Sequence, residues 1–132
     1  TVSAAVRVSA SSGTPCLCLN FASKNLPGGA VASGVLAQEE CIFRQTSISL
    51  ALPAGERMAY YPLPPGRVVI ARDVAVLRGA HSGYAWCAEP FALVDVATCA
   101  AQQKPPITPD GTRYGDPAEM RMRAASVLQA AV

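Results

Sequence analysis

Between residues 20 and 40 the chain reads NFASKNLPGGAVASGVLAQEE, and this stretch restricts the fold more than any other. An apolar run, Cys16 to Leu19, leads into Asn20, the backbone passes through Pro27, Gly28 and Gly29, and a helical pattern begins near Gly34. Strand, small-residue turn and helix in that order point to an α/β chain. Glycine lets the backbone approach a ligand, and a helix start offers unpaired amides and a positive dipole end to an anion such as a diphosphate. The spacing excludes a Walker loop and the Gly-x-Gly-x-x-Gly dinucleotide fingerprint.

Around this stretch the pattern is mixed. Residues 4–10 alternate Val6, Val8 and Ala10 with Arg7 and Ser9, which predicts a short strand with one wet face. Cys16 to Asn20 is more continuously apolar, as an interior strand covered on both sides would be. Asn20 falls at its exit, where open α/β sheets bind ligands, although a turn-forming Asn fits the same position. From Gly34 or Val35 to about Leu52 the spacing predicts one helix, with Leu36, Phe43 and Leu50 on a stripe. Glu40 falls on that stripe; the alternative is an exposed Glu40 paired with Arg44 at i+4. Glu39 is flanked at helical spacing by Val35 and Ile42, so periodicity does not say which carboxylate is buried.

Residues 53–66 carry four prolines and two glycines and read as a connection, with Tyr60 and Tyr61 pinning it to the body or, alternatively, contacting a ligand or partner. Residues 67–77 are β-rich, with a break near Asp73 between two short strands. His81 to Trp86 reads as a turn region in which the lone His81 and Trp86 are surface or packing residues. Phe91 to Cys99 is a further strand and residues 100–115 a long proline-rich loop. Asp116 as N-cap, Pro117 and Glu119 mark a last helix whose face of Met120, Ala124, Val127, Leu128 and Ala131 calls for a sheet to cover it.

Composition narrows the function. With 51% apolar and 15% charged residues the chain is a folded domain rather than a disordered one, and 132 residues suit a single domain, 1–132. A net charge of +2 with no basic stripe gives no reason to expect direct nucleic-acid binding. Five cysteines without a Cys-x-x-Cys pair, and a single histidine, argue against a zinc site and against a Cys-His or Ser-His nucleophile. Cys16 and Cys18 point to one strand face as small buried hydrophobes. No membrane span or secretory signal is present, so the chain is expected to be intracellular. Thr1 at the start and a last helix without a C-cap signal read as the ends of a fragment.

The stretch resembles the signature of the microbial-type poly(ADP-ribose) glycohydrolases: Asn-Phe-Ala, a three-glycine turn, six to eight residues, then Gln-Glu-Glu. Here these are Asn20-Phe21-Ala22, Gly28-Gly29-Ala30, seven residues and Gln38-Glu39-Glu40. A looser likeness runs through Tyr60-Tyr61, the strands that follow and the last helix. The resemblance implies a macrodomain-like mixed sheet flanked by helices, incomplete at its C-terminal end. The family continues past the helix resembling Asp116 to Val132 into another strand and a second glycine-rich loop, which this chain does not reach. Ala30 in place of the third glycine is a second departure.

By the same resemblance the ligand is ADP-ribose or poly(ADP-ribose), with no metal or other cofactor. Glu40 protonates the leaving oxygen of a ribose-ribose bond and then activates water, while Glu39 and Asn20 hold ribose hydroxyls. A protonated glutamic acid suits an oxocarbenium-like transition state, because the departing hydroxyl needs a proton as it leaves. Gln38 supports the ribose or the helix start. Phe21 reads as core, although its neighbourhood, with Ala22 and the turn Gly28, Gly29 and Ala30, lines the pocket by resemblance. Two other readings stand beside the hydrolase: a degenerate member kept as a structural or assembly subunit, with a protein partner completing the sheet, and an ADP-ribose reader without hydrolysis.

Overall fold

The computed structural model describes residues 1–51, 59–80, 83–101, 107–111 and 117–130. Helix α1 (Val2–Ser12) leads into strand β1 (Cys16–Ala22), followed by a 3-10 turn (Val31–Ser33) and two short helices, α2 (Gln38–Gln45) and α3 (Ile48–Ala51). Strand β2 (Val68–Ala75), the small hairpin β3 (Arg78–Gly79) and β4 (Ala85–Trp86), strand β5 (Leu93–Ala100) and helix α4 (Pro117–Ala130) complete the described elements. The main sheet is mixed, in the order β1-β5-β2, with β1 parallel and β2 antiparallel to β5. The expected α/β fold with a mixed sheet flanked by helices is the one observed.

The expected first strand is a helix. The Val6/Val8 alternation competes with a helical spacing in which Val2 and Ala5 are buried and Val6 packs beside them, while Val8 stays exposed. Gly13, at φ 73°, ends the helix by donating its amide to the Ser9 carbonyl, as a left-handed cap does. The Ser9 hydroxyl then accepts the Cys16 amide at 2.7 Å, tying the helix end to β1.

The long helix expected over residues 34–52 is also divided. Thr46 and Ser47 leave the helix because the sheet claims their backbone: Ser47 donates to the Ala75 carbonyl, Leu77 donates to Gln45, and Thr46 bridges Val76. The side chains reinforce the break. Thr46 Oγ1 donates to the Ile42 carbonyl and Ser47 Oγ accepts the Ala75 amide. With the helix divided and starting only at Gln38, the predicted stripe is not a buried one. Leu36 and Leu50 are each 74% exposed, and Glu40 is buried without them.

One face of the sheet carries the main core. Cys18, Val74, Val94 and Val96 pack there with Val2 and Ala5 of α1, Ile42 of α2 and Ile48 of α3. Of the expected pair, Cys18 is buried and Cys16 half-buried against it. Parallel register sets Cys16 beside Val94, Cys18 beside Val96 and Asn20 beside Thr98, so the apolar rows give way to a polar pair where β1 and β5 both near their carboxyl ends. A smaller cluster of Ala22, Tyr61 and Leu63 closes that end, and the Leu63 amide holds the Lys24 carbonyl at 2.8 Å.

β1 was expected in the sheet interior and lies at an edge among the described strands. Its apolar run is accounted for by the core on one face and half-buried Leu17 and Leu19 on the other. β2 is a single strand with an irregularity between Ala71 and Val74 rather than two strands. There the buried Asp95 carboxylate accepts the Asp73 amide and pairs with Arg72 at 3.1 Å. Residues 52–58, His81 and Ser82, 102–106, 112–116 (including the expected N-cap Asp116), and Ala131 and Val132 lie outside the described residues. On α4, Met120, Ala124 and Leu128 are exposed and Val127 half-buried, so the face expected to be covered is largely open.

Candidate active site

The buried face of α2 is Glu39, Glu40, Ile42 and Gln45, which is mostly polar. Burying such groups costs stability unless each finds hydrogen bonds, and here the small-residue turn supplies them. Glu39 accepts the Gly28 amide on Oε1 at 2.9 Å and the Ser23 amide on Oε2 at 2.7 Å, clamping the two ends of the loop between β1 and the turn. Glu40 accepts the Ala30 amide on Oε1 at 2.9 Å. Among the described residues no hydrogen bond reaches its Oε2. Both carboxylates are buried, which resolves the ambiguity left by periodicity, and they share the first turn of the helix, where its dipole favours negative charge.

The turn fits around them closely. Gly28 and Gly29 take left-handed φ of 79° and 54°. A Cβ on Gly28 would meet the Phe43 ring at 2.8 Å, and one on Gly29 would meet Glu40 Oε1 at 2.5 Å. Ala30 has φ −102°, a conformation open to any L-residue, so a methyl is tolerated where the family pattern has its third glycine.

The amides of the turn itself are engaged: Gly28 by Glu39, Gly29 by the Leu26 carbonyl at 3.1 Å and Ala30 by Glu40. The turn does not run directly into the helix. The 3-10 turn Val31–Ser33 and residues 34–37 intervene before Gln38. The anions this loop is shaped around are the side chains of the helix.

Gln38 joins α2 to the sheet. Its Oε1 accepts the Phe21 amide at 2.8 Å and its Nε2 donates to the Leu19 carbonyl, the two backbone groups that a neighbouring strand would engage on this edge of β1. Both bonds tie the first residue of α2 to β1. Phe21 is not core: strand alternation sends it away from buried Asn20 and Ala22, and it is 56% exposed. The alternative of an exposed Glu40 paired with Arg44 is not realised either. Arg44 reaches back to the Val35 and Val31 carbonyls.

Asn20 is fully buried. Its Nδ2 donates to Thr98 Oγ1 at 3.4 Å, while its Oδ1 has no partner. The hydroxyl of buried Tyr61, which does pin its loop to the body, is likewise unpaired. Burial, and secondarily the charge of Glu39, push the Tyr61 phenol up to about 12, so it remains a proton donor at neutral pH. Burial also raises the Glu39 carboxyl, and the Glu40 charge adds to this, while the Ser23 and Gly28 amides and the Asn20 side chain pull the other way. Thr98 carries no signal in the sequence that places it here, and β-strand register brings it in.

Among the described residues, cavities border α2 on two sides. One of about 460 Å³ lies between α1 and α2, lined by Arg7, Gln38, Cys41, Gln45 and Ala80 among others, and one of about 340 Å³ is lined by Arg44, Arg78 and Tyr84. Neither is lined by Glu39 or Glu40. Among the described residues no three His, Cys, Asp or Glu side chains gather to hold a metal ion, and no helix is long and apolar enough to cross a membrane.

The family model of the microbial-type PARG catalytic domain matches residues 1–78, which hold the turn, both carboxylates and Asn20. The chain belongs to this family. The PARG from Thermomonospora curvata, solved with the inhibitor ADP-HPD, is 29% identical and superposes with a TM-score of 0.72 over 99% of this chain and 51% of its own. The PARG from Deinococcus radiodurans, solved with ADP-ribose, is 25% identical, with a TM-score of 0.73 over 99% of this chain and 55% of its own. The chain thus spans about half the length of these PARG structures. No curated protein sequence matches it.

Proposed function

We propose that this chain carries the carboxylate-bearing half of a PARG site, binds ADP-ribose and hydrolyses the O-glycosidic bond between riboses of poly(ADP-ribose), with Glu40 as general acid and base. The observation that carries this reading is that Glu40 is fixed through Oε1 by the Ala30 amide while, among the described residues, nothing engages its Oε2 or the buried carbonyl of Asn20 at the same end of the sheet. A protonated Glu40 gives its proton to the ribose oxygen as the anomeric carbon–oxygen bond breaks, which relieves the departing alkoxide. The resulting carboxylate then takes a proton from the water that attacks the anomeric carbon, and the acid is restored. Asn20 Oδ1 accepts a ribose hydroxyl.

Glu39, whose two oxygens both hold backbone amides, acts as a positioning residue rather than by touching the sugar. Gly28, Gly29 and Ala30 shape the wall and orient the carboxylates, Gln38 fixes the helix start, and Phe21 and Ala22 border the ligand at the strand exit. In the Glu40→Gln variant, release of ADP-ribose from the polymer should fall at least about a hundredfold, the usual worth of a positioned general acid. Binding of ADP-ribose, followed by isothermal titration, should persist. Equal hydrolysis rates in the two proteins would remove Glu40 from the chemistry.

A second reading, a non-catalytic family member serving as an assembly subunit, is favoured by the internally satisfied turn amides and by the exposed Met120, Met122 and Leu128 of α4. In that case isothermal titration with ADP-ribose gives no heat.

A further inference from the structure

The other end of α2 faces the β3–β4 hairpin across the 340 Å³ cavity lined by Arg44, Arg78 and Tyr84. That volume is within the range of small-molecule sites. Arg44 and Arg78 border it chiefly through their aliphatic stems, with the guanidinium groups at its edge, and among the described residues neither pairs with a carboxylate. Arg44 engages the Val31 and Val35 carbonyls and the Tyr84 hydroxyl, and Arg78 the Tyr84 carbonyl, out of about five N–H groups on each side chain. Donors and positive charge are therefore left over for an anion, and the planar guanidinium suits phosphate oxygens.

Aromatic surface adjoins this charge. Arg78 lies 4.1 Å from the centre of the Trp86 ring and covers one face, yet Trp86 is 66% exposed. Tyr84 takes φ 62°, uncommon for a bulky residue, and its hydroxyl contacts Cys41 Sγ at 3.5 Å, so the hairpin is held against α2 in a strained form. An exposed indole beside uncompensated arginines is what base stacking with phosphate capture requires.

We propose that Arg44, Arg78 and Trp86 form an accessory site for a nucleoside diphosphate, with the two arginines on the phosphates and the open face of Trp86 on the base. The site goes beyond the reading given for Glu40 and does not depend on it.

Trp86 is the sole tryptophan of the chain, so its fluorescence reports the site directly. Titration of the intact protein with ADP should quench it saturably, with adenosine or pyrophosphate alone at least about tenfold weaker, since each offers half of the contacts. Arg78→Gln and Arg44→Gln should each weaken ADP roughly tenfold. Because Arg44 also holds two carbonyls, Arg78→Gln, with an unchanged far-ultraviolet spectrum, is the deciding variant. The proposal is overturned by no saturable quenching at millimolar ADP, or by an unchanged affinity in Arg78→Gln. Loss of the signal in Asn20→Ala would also overturn it, by placing the bound nucleotide at the other end of α2, whereas a signal that survives there, even in a protein inactive on polymer, supports it.

Discussion

One Cα hydrogen of Gly29 points at Glu40: a Cβ in its place would stand 2.5 Å from Oε1 of that carboxylate and 2.9 Å from Oε2 of Glu39. Gly29→Ala combines this clash with a left-handed φ, and it should destabilise the protein by about 1–3 kcal/mol in urea unfolding and displace both carboxylates. Ala30→Gly, one position on, meets neither constraint and should cost no more than about 1 kcal/mol, through chain entropy alone. Equal effects of the two substitutions would contradict the close fit at Gly29.

Glu39→Ala leaves the Gly28 and Ser23 amides without their acceptor and should cost about 2–4 kcal/mol by chemical denaturation. The charge on Glu39 has the opposite sign in the pH balance. Its carboxyl is raised in the folded protein above the ordinary value of 4.5, so between those two values the folded state binds more protons than the unfolded one. Its contribution is therefore fully present below 4.5 and is lost as pH rises through the folded value. Stability profiles of the native protein and Glu39→Gln should differ in slope in that window and run parallel above it.

Tyr61→Phe removes a buried hydroxyl that has no partner, so it should be neutral or stabilising by about 1 kcal/mol, against the usual direction of core substitutions. The native phenol is raised to about 12, and its contribution to stability is present below pH 10 and lost as pH climbs toward that value. The Phe variant should lack this alkaline decline in thermal unfolding.

Gln38→Ala releases both the Phe21 amide and the Leu19 carbonyl and should cost about 1–2 kcal/mol. Gln38→Glu should do no better, because a carboxylate cannot donate to Leu19. Recovery of full stability in Gln38→Glu would show that the donor is not needed.

The parts legible in the sequence are those fixed locally. β1 and β5 follow from largely apolar runs, Cys16 to Leu19 and Leu93 to Cys99. The misread parts depend on distant partners. Nothing local says that Ala75 and Val76 will draw Ser47 and Thr46 out of a helix, or that Gln38 rather than a strand will face Leu19. In α1 the signal was present, as Val2 and Ala5 with Gly13 behind them, but the Val6/Val8 alternation obscured it. Within the site, the resemblance to the family signature singles out the two carboxylates, whereas which amides they hold is set by the path of the loop.

The Gln38 amide has a further consequence for behaviour in a crowded solution. By occupying the outward groups of Leu19 and Phe21 it acts as a one-residue surrogate strand, and it denies a second molecule the template for edge-to-edge zippering beside an exposed phenylalanine. The side chain that seats the acid-bearing helix thereby also works as a guard against self-association.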